Sequence, residues 1–200
     1  MARLLLVRHG STSLDNATRF WGKTDVALSH VGIRQAEKLR DRLATQKINA
    51  AYSSRLKRAR ATAEIITAGV TDITPLAELD EINFGWIEGL TFEEIQKLHP
   101  DLAREMANWG FRQKFPGGES LDELDNRLQG FLKRLSKHKP EETVLIVAHG
   151  GTLRALICDL LGIGLEHWRQ MQFDFASLSI VETYPQGTIL SLLNDVSHLR

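Results

Sequence analysis

Two short apolar runs, each closed by His-Gly, restrict this chain more than any other feature in it. Leu4-Leu5-Leu6-Val7 ends at Arg8-His9-Gly10, and Thr143-Val144-Leu145-Ile146-Val147-Ala148 ends at His149-Gly150-Gly151. Neither run alternates apolar with polar residues, which is the pattern of a strand buried on both faces in a parallel sheet. Each delivers titratable side chains at its C-terminal end, the edge at which open α/β sheets bind ligands.

The segments between them read as helices able to cover such a sheet. Ala36, Leu39 and Leu43 fall on one face of a helix beginning near Ser29, and Leu121, Leu124, Leu128, Phe131 and Leu135 do the same further on. Ser120 with Glu123, and Thr91 with Glu94, have capping-box spacing and mark helix starts. Ile48 to Tyr52 is a third short apolar run, leading through Ser53-Ser54-Arg55 into a helix that carries Ala59, Thr62, Ala63 and Ile66. Ser177 to Thr183 and Thr188 to Leu193 flank Pro185-Gln186-Gly187, which predicts a closing antiparallel hairpin. The order predicts a three-layer α/β/α sandwich around a mostly parallel sheet with an antiparallel strand. Arg8-His9-Gly10, Ser53-Ser54-Arg55 and His149-Gly150-Gly151 then share one edge.

Composition narrows the partners. Lys plus Arg and Asp plus Glu number 25 each, so formal net charge is zero and no global field draws nucleic acid or an anionic membrane. Attraction for an anion must come from local clusters. Cys158 is the only cysteine, which excludes an intramolecular disulfide and predicts the cytoplasm; in the apolar helix Leu153 to Leu161 it reads as a core residue. The N-terminal run is too short for a signal peptide, and no stretch reaches membrane-spanning length.

An Arg-His-Gly turn sets a guanidinium beside an imidazole, and the glycine lets the backbone approach a ligand closely, a combination suited to a tetrahedral oxyanion. Arg58, near a helix start where free amides favour negative charge, supplies a second clamp. Here a specific resemblance emerges. Leu6-Val7-Arg8-His9-Gly10-Ser11-Thr12, Arg19-Phe20-Trp21-Gly22 with Asp25, Leu28, Gly32 and Gln35-Ala36, and Ser53-Ser54-Arg55-Leu56 with Arg58-Ala59 and Thr62-Ala63 resemble the histidine phosphatase superfamily. Leu79-Asp80-Glu81-Ile82-Asn83-Phe84-Gly85, Pro116-Gly117-Gly118-Glu119-Ser120 and Val147-Ala148-His149-Gly150-Gly151 continue the match in family order over nearly the whole chain.

The resemblance implies a phosphoglycerate mutase-like fold in a single domain over 1–200, with a small helical or lid insertion about 86–118. It implies that His9 attacks phosphorus while Arg8, Arg58 and His149 hold the phosphoryl oxygens, and that Glu81, among Leu79, Ile82 and Phe84, protonates the leaving oxygen and then activates water. Glu88 is the weaker candidate for that acid. Asn16, Trp21, Gly22 and Gly150 complete the expected substrate contacts. No cofactor and no metal are implied, and His30, His99, His138, His167 and His198 lack metal-site spacing. One departure concerns the mouth of the site: where the family has asparagine after a tryptophan, this chain has Leu14-Asp15, with Asn16 shifted by one. Either Asn16 substitutes, or Asp15 meets a different part of the substrate.

The expected activity is hydrolysis of small-molecule phosphomonoesters through a phosphohistidine. The Phe84-Gly85 and His149-Gly150-Gly151 contexts are similar to α-ribazole phosphatases of cobalamin synthesis and to broad-specificity phosphatases, so α-ribazole 5′-phosphate is one substrate the resemblance offers. The main alternative is a cofactor-dependent phosphoglycerate mutase, which the short stretch Trp109 to Pro116 disfavours because a short cover admits water. Phe111-Arg112-Gln113-Lys114-Phe115 reads as a lid, and Glu119 as an entrance residue or a helix cap. A phosphoprotein phosphatase or a phosphate-binding protein is the remaining alternative. The sequence does not fix the oligomeric state, for which a homodimer is one option.

Overall fold

A computed structural model of the chain describes residues 2–14, 19–108 and 114–200. One six-stranded sheet carries β1 (Ala2–Arg8), β2 (Ala50–Ser54), β3 (Ile73–Leu76), β4 (Thr143–Ala148), β5 (Leu178–Tyr184) and β6 (Gly187–Asp195) in the spatial order β3-β2-β4-β1-β5-β6. β1 and β2 both pair parallel with β4, and β3 pairs parallel with β2; β5 runs antiparallel to β1 and forms a hairpin with β6. This is the mostly parallel three-layer sandwich expected.

The two central strands explain the apolar runs. Leu4 and Leu6 of β1, with Val144, Ile146 and Ala148 of β4, point into one core, whereas Leu5, Val7, Leu145 and Val147 point into the other. The second core is closed by α1 (His30–Leu43) and α2 (Lys57–Thr67), through Leu39, Leu43, Ala59, Ala63 and Ile66. The larger one is closed by α5 (Leu121–Leu135) and α6 (Gly150–Leu161), and it also receives α3 (Phe92–Leu98) and α4 (Pro100–Ala107) through Ile95, Ala103 and Met106. Leu121, Leu124, Leu128, Phe131 and Leu135 are all buried, as their spacing required. Ser29 caps α1, while Thr91 and Ser120 make reciprocal capping boxes with Glu94 and Glu123 at α3 and α5.

Two features depart from the sequence reading. β3 was not expected; it is a four-residue edge strand containing Pro75, tolerated there because an edge strand has a side with no ladder to feed. Glu119 neither lines the entrance nor caps α5. It accepts Arg127 Nε at 2.7 Å and the amide of Asn83 at 3.2 Å, tying α5 to the segment that carries Glu81. Of the expected lid, residues 111–113 lie outside the described residues; Lys114 pairs with Glu123 and Phe115 is buried in the larger core. Among the described residues no helix is long and apolar enough to cross a membrane.

Candidate active site

The parallel register of β1 and β4 pairs Arg8 with Ala148, and the amide of His9 continues the ladder by donating to the Ala148 carbonyl at 3.0 Å. His9 and His149 therefore leave the sheet side by side, with ring centroids 5.0 Å apart in an edge arrangement, and both are buried. His9 Nδ1 lies 2.7 Å from the Gly10 carbonyl oxygen. A carbonyl can only accept, so Nδ1 carries the proton and Nε2 keeps its lone pair.

Arg58 meets that lone pair. From the first turn of α2 its Nε donates to His9 Nε2 at 3.3 Å, while Nη1 and Nη2 hold the carbonyls of Thr24 and Gly22, each at 2.8 Å. The carbonyl of Gly22, expected at the substrate, helps to hold Arg58. Burial first, then the charges of Arg58 and Arg8, holds His9 well below the usual histidine value. His149 is lowered in the same way by burial, by Arg58, His9 and Arg8, and by Arg127. Neither ring nitrogen of His149 has a hydrogen-bond partner among the described residues. Buried polar groups are ordinarily paired, so this ring is available to an oxyanion.

Glu81 is buried, as are its neighbours Leu79 and Ile82. Its carboxylate lies at the N-terminus of α6, where Oε2 accepts the amide of Gly151 at 3.0 Å and Oε1 accepts the amide and hydroxyl of Thr152 at 3.0 and 3.1 Å. The helix has no cap from its own N-cap residue, His149, so Glu81 serves as its cap from a distant loop. The peptide leading into it is clamped through Glu78 and Asp80. Arg127 donates to the carbonyls of Glu78 and Asp80, at 2.5 and 2.6 Å. Burial works to raise the Asp80 carboxyl, but hydrogen bonds from Arg55 and Ser54 and the charge of Lys23 hold it below its usual range. Arg55 is therefore a structural partner of Asp80. Glu88 accepts the amides of Lys23 and Thr24 and the Thr24 hydroxyl, pinning the turn that holds Arg58, which leaves Glu81 as the acid candidate.

Sequence reasoning passed over one segment altogether. Phe173 offers its carbonyl to Arg8 Nη1 at 2.6 Å, the Phe175 ring stacks 3.9 Å from the Arg8 guanidinium and 5.5 Å from the His9 ring, and the Ala176 amide bonds the carbonyls of Arg8 and His9. The 173–176 segment is the cradle of Arg8. Asp15 and Asn16 lie outside the described residues.

The sequence matches the profile of the histidine phosphatase superfamily (branch 1) over residues 4–196. This chain belongs to that family. As a histidine phosphatase it is a phosphoric monoester hydrolase. It is 33% identical over 200 residues to phosphoserine phosphatase 1 of Hydrogenobacter thermophilus, covering 100% of this chain and 95% of that one. Among solved structures, the α-ribazole phosphatase of Shigella flexneri superposes with a TM-score of 0.85 at 27% identity, over 97% of this chain and 96% of that one. A phosphoserine phosphatase of Entamoeba histolytica, solved with phosphoserine, gives 0.86 at 26% identity over 100% of both chains.

Through Arg8 and Gly150, the chain neighbours of the paired histidines, this histidine phosphatase lines a cavity of about 710 Å³ whose walls also include Glu81, Gly151, Trp21, Phe84 and Trp168. Trp21 is thus a wall, held by its Nε1 donating to the Leu14 carbonyl at 3.3 Å. Cys158 is buried and its thiol is pushed up to about 11, first by burial, which keeps it protonated and inert.

Two predictions arise from this geometry. A Cβ at Gly151 would lie 2.7 Å from Glu81 Oε1, so Gly151→Ala displaces the carboxylate and is expected to lower kcat about 10²-fold, the usual cost of an ångström-scale misplacement. Steady-state kinetics on protein with unchanged circular dichroism checks this. The second concerns acid. His9, His149 and His198 are all lowered in the folded chain, so below the ordinary histidine value the unfolded chain binds more protons than the folded one. Through these histidines, stability is full above about pH 6.5 and falls as pH drops below it. Asp159, raised to about 7 by burial and by Asp125, works in the opposite direction. Urea midpoints of Asp159→Asn, which removes that opposition, are expected to be lower at pH 5.5 than at pH 7.5; equal midpoints would contradict the histidine assignment.

Proposed function

We propose that the chain hydrolyses small phosphomonoesters by passing the phosphoryl group through His9. The tautomer of His9 supports this reading most directly: Nδ1–H is committed to the Gly10 carbonyl, so the lone pair on Nε2 faces the site that Arg58 shares. In the first step Nε2 forms a bond to phosphorus as the ester P–O bond breaks, and Glu81 gives its proton to the leaving oxygen. In the second, water attacks the phosphohistidine, Glu81 takes a proton from it, the N–P bond breaks and phosphate leaves. Arg8, Arg58, the Gly150 amide and neutral His149 stabilise the charge that develops on the phosphoryl oxygens. Neighbouring cations both bind the anion and keep His9 unprotonated.

The aromatic walls of the cavity favour a leaving group with a flat apolar part, the reading under which α-ribazole 5′-phosphate is a substrate. Cytoplasmic residence belongs to the same proposal. The test incubates the protein with chelator and p-nitrophenyl phosphate, phosphoserine, α-ribazole 5′-phosphate or 3-phosphoglycerate, following free phosphate and isomerised product. An alkaline quench then maps the acid-labile phosphoryl group by mass spectrometry. Phosphate release with label on the His9 peptide supports the proposal. Isomerisation without release makes the protein a mutase, and label on any other residue overturns the role given to His9.

A further inference from the structure

The nucleophile is held by a peptide group, and that peptide is itself held. The proton on His9 Nδ1 goes to the Gly10 carbonyl at 2.7 Å. The same peptide presents its N–H, that of Ser11, to Gln35 Oε1 at 2.9 Å. An amide N–H can only donate, so the Gln35 atom facing it is the carbonyl oxygen. A trans peptide points its N–H and C=O in opposite directions, and Gln35, the 10–11 peptide and the imidazole therefore form one chain of hydrogen bonds.

α1 is pressed against the turn to make this contact. A Cβ on Gly32 would lie 2.0 Å from the Ser11 carbonyl oxygen, so no larger residue lets the helix come this close. Ser29, the N-cap of α1, donates its amide to that carbonyl at 3.0 Å and its hydroxyl at 3.1 Å. The preceding peptide is fixed from α2. The Gly10 amide donates to Thr62 Oγ1 at 3.1 Å, and that hydroxyl donates to the Arg58 carbonyl at 2.7 Å.

We infer that Gln35 is a positioning residue for the nucleophile: through the 10–11 peptide it strengthens the Gly10 carbonyl as an acceptor, which fixes the His9 tautomer and stabilises the charge the ring gains in the reaction. This rests on the role given to His9 above and adds the group that acts behind it. As Nε2 bonds to phosphorus and the ester oxygen leaves with its electron pair, the imidazole becomes cationic and its Nδ1–H becomes a stronger donor. A hydrogen bond that strengthens on the way to the transition state lowers the barrier, whereas one of constant strength does not. His9 is buried, and in a low-dielectric interior linked hydrogen bonds polarise one another.

The test uses the full-length protein and p-nitrophenyl phosphate, whose leaving group departs as its anion without an acid. In single turnovers, p-nitrophenolate release reports formation of the N–P bond. Gln35→Leu and the smaller Gln35→Ala remove the acceptor, and Gln35→Glu keeps one; circular dichroism checks that each is folded. The first two are expected to slow release by roughly tenfold, the worth of one hydrogen bond, with affinity for inorganic phosphate nearly unchanged. Gln35→Glu is expected to recover most of the rate.

The pH profile separates positioning from loosened packing. Burial, Arg58 and Arg8 lower His9, and the bond to Gly10 works against them. Weakening that bond, with Arg8 on β1, Arg58 on α2 and His149 after β4 left in place, moves the acid limb of release downward. A looser, wetter site would relieve burial and move it upward. A limb that rises or stays, an unchanged rate in both the Leu and Ala variants, or a folded Gln35→Glu as slow as Gln35→Leu overturns the inference. Release that persists in His9→Ala overturns the role of His9 instead.

Discussion

Replacing His9 with alanine is expected to reduce phosphate release on the order of 10⁴-fold or more, the scale seen when a covalent nucleophile is removed. The imidazole supplies the atom that bonds to phosphorus, and neither Arg58 nor Glu81 can take its place. Arg58 Nε faces the same point but has no lone pair, and Glu81 is tied to the amides of α6. His9→Ala leaves Arg8, Arg58 and His149 in place, so equilibrium binding of phosphate is expected to weaken far less than turnover. Single-turnover assays with calorimetric binding of inorganic phosphate separate the two. Equal losses would make His9 a binding group, and full activity would remove it from the reaction.

Arg58→Met is expected to cost about 10³-fold in kcat/KM, since it removes a preorganised cation from a buried anion site. It also moves the pH dependence in a direction fixed by the charges. His9 attacks only when neutral, and Arg58 is one of the causes that hold it well below the ordinary histidine value. In the unaltered protein the acid limb of kcat/KM therefore lies below that value. Without Arg58 the imidazole retains its proton to higher pH, and the limb shifts upward. A limb that stays in place or moves down would mean that another group sets it. Because the carbonyls of Gly22 and Thr24 lose their donor in this variant, its folded fraction is measured alongside, with Arg58→Lys as the charged control.

How much of this was legible in the sequence depended on whether a residue acts through its own pattern or through someone else's. β1 and β4 were readable because strands covered on both faces must be apolar throughout, and the polar residues that end them had nowhere to go but the ligand edge. The amphipathic helices followed from the same logic. β3 was not readable, because four residues with an internal proline carry no periodic signal and owe their conformation to β2. The identity of Glu81 was legible but its surroundings were not: its partners are amides of Gly151 and Thr152, separated from it by about seventy residues and supplied by a helix end rather than by side chains. The cradle of Arg8 was invisible for a similar reason. Phe173 contributes a carbonyl, which any residue has, and it reaches Arg8 across a separation of 165 residues.

The pairing of β1 with β4 turns the backbone ladder into a measuring gauge for the chemistry. Six consecutive residue pairs, Arg3 with Thr143 through Arg8 with Ala148, place His9 and His149 at the same height beyond the sheet. Because side chains alternate faces, a slip of one residue in either strand would not merely shift an imidazole by a few ångströms; it would send it to the opposite core. Length changes in these strands are therefore all-or-none in their effect on the reaction. Changes in the segments that line the outer cavity can retune which ester is accepted while leaving that gauge untouched.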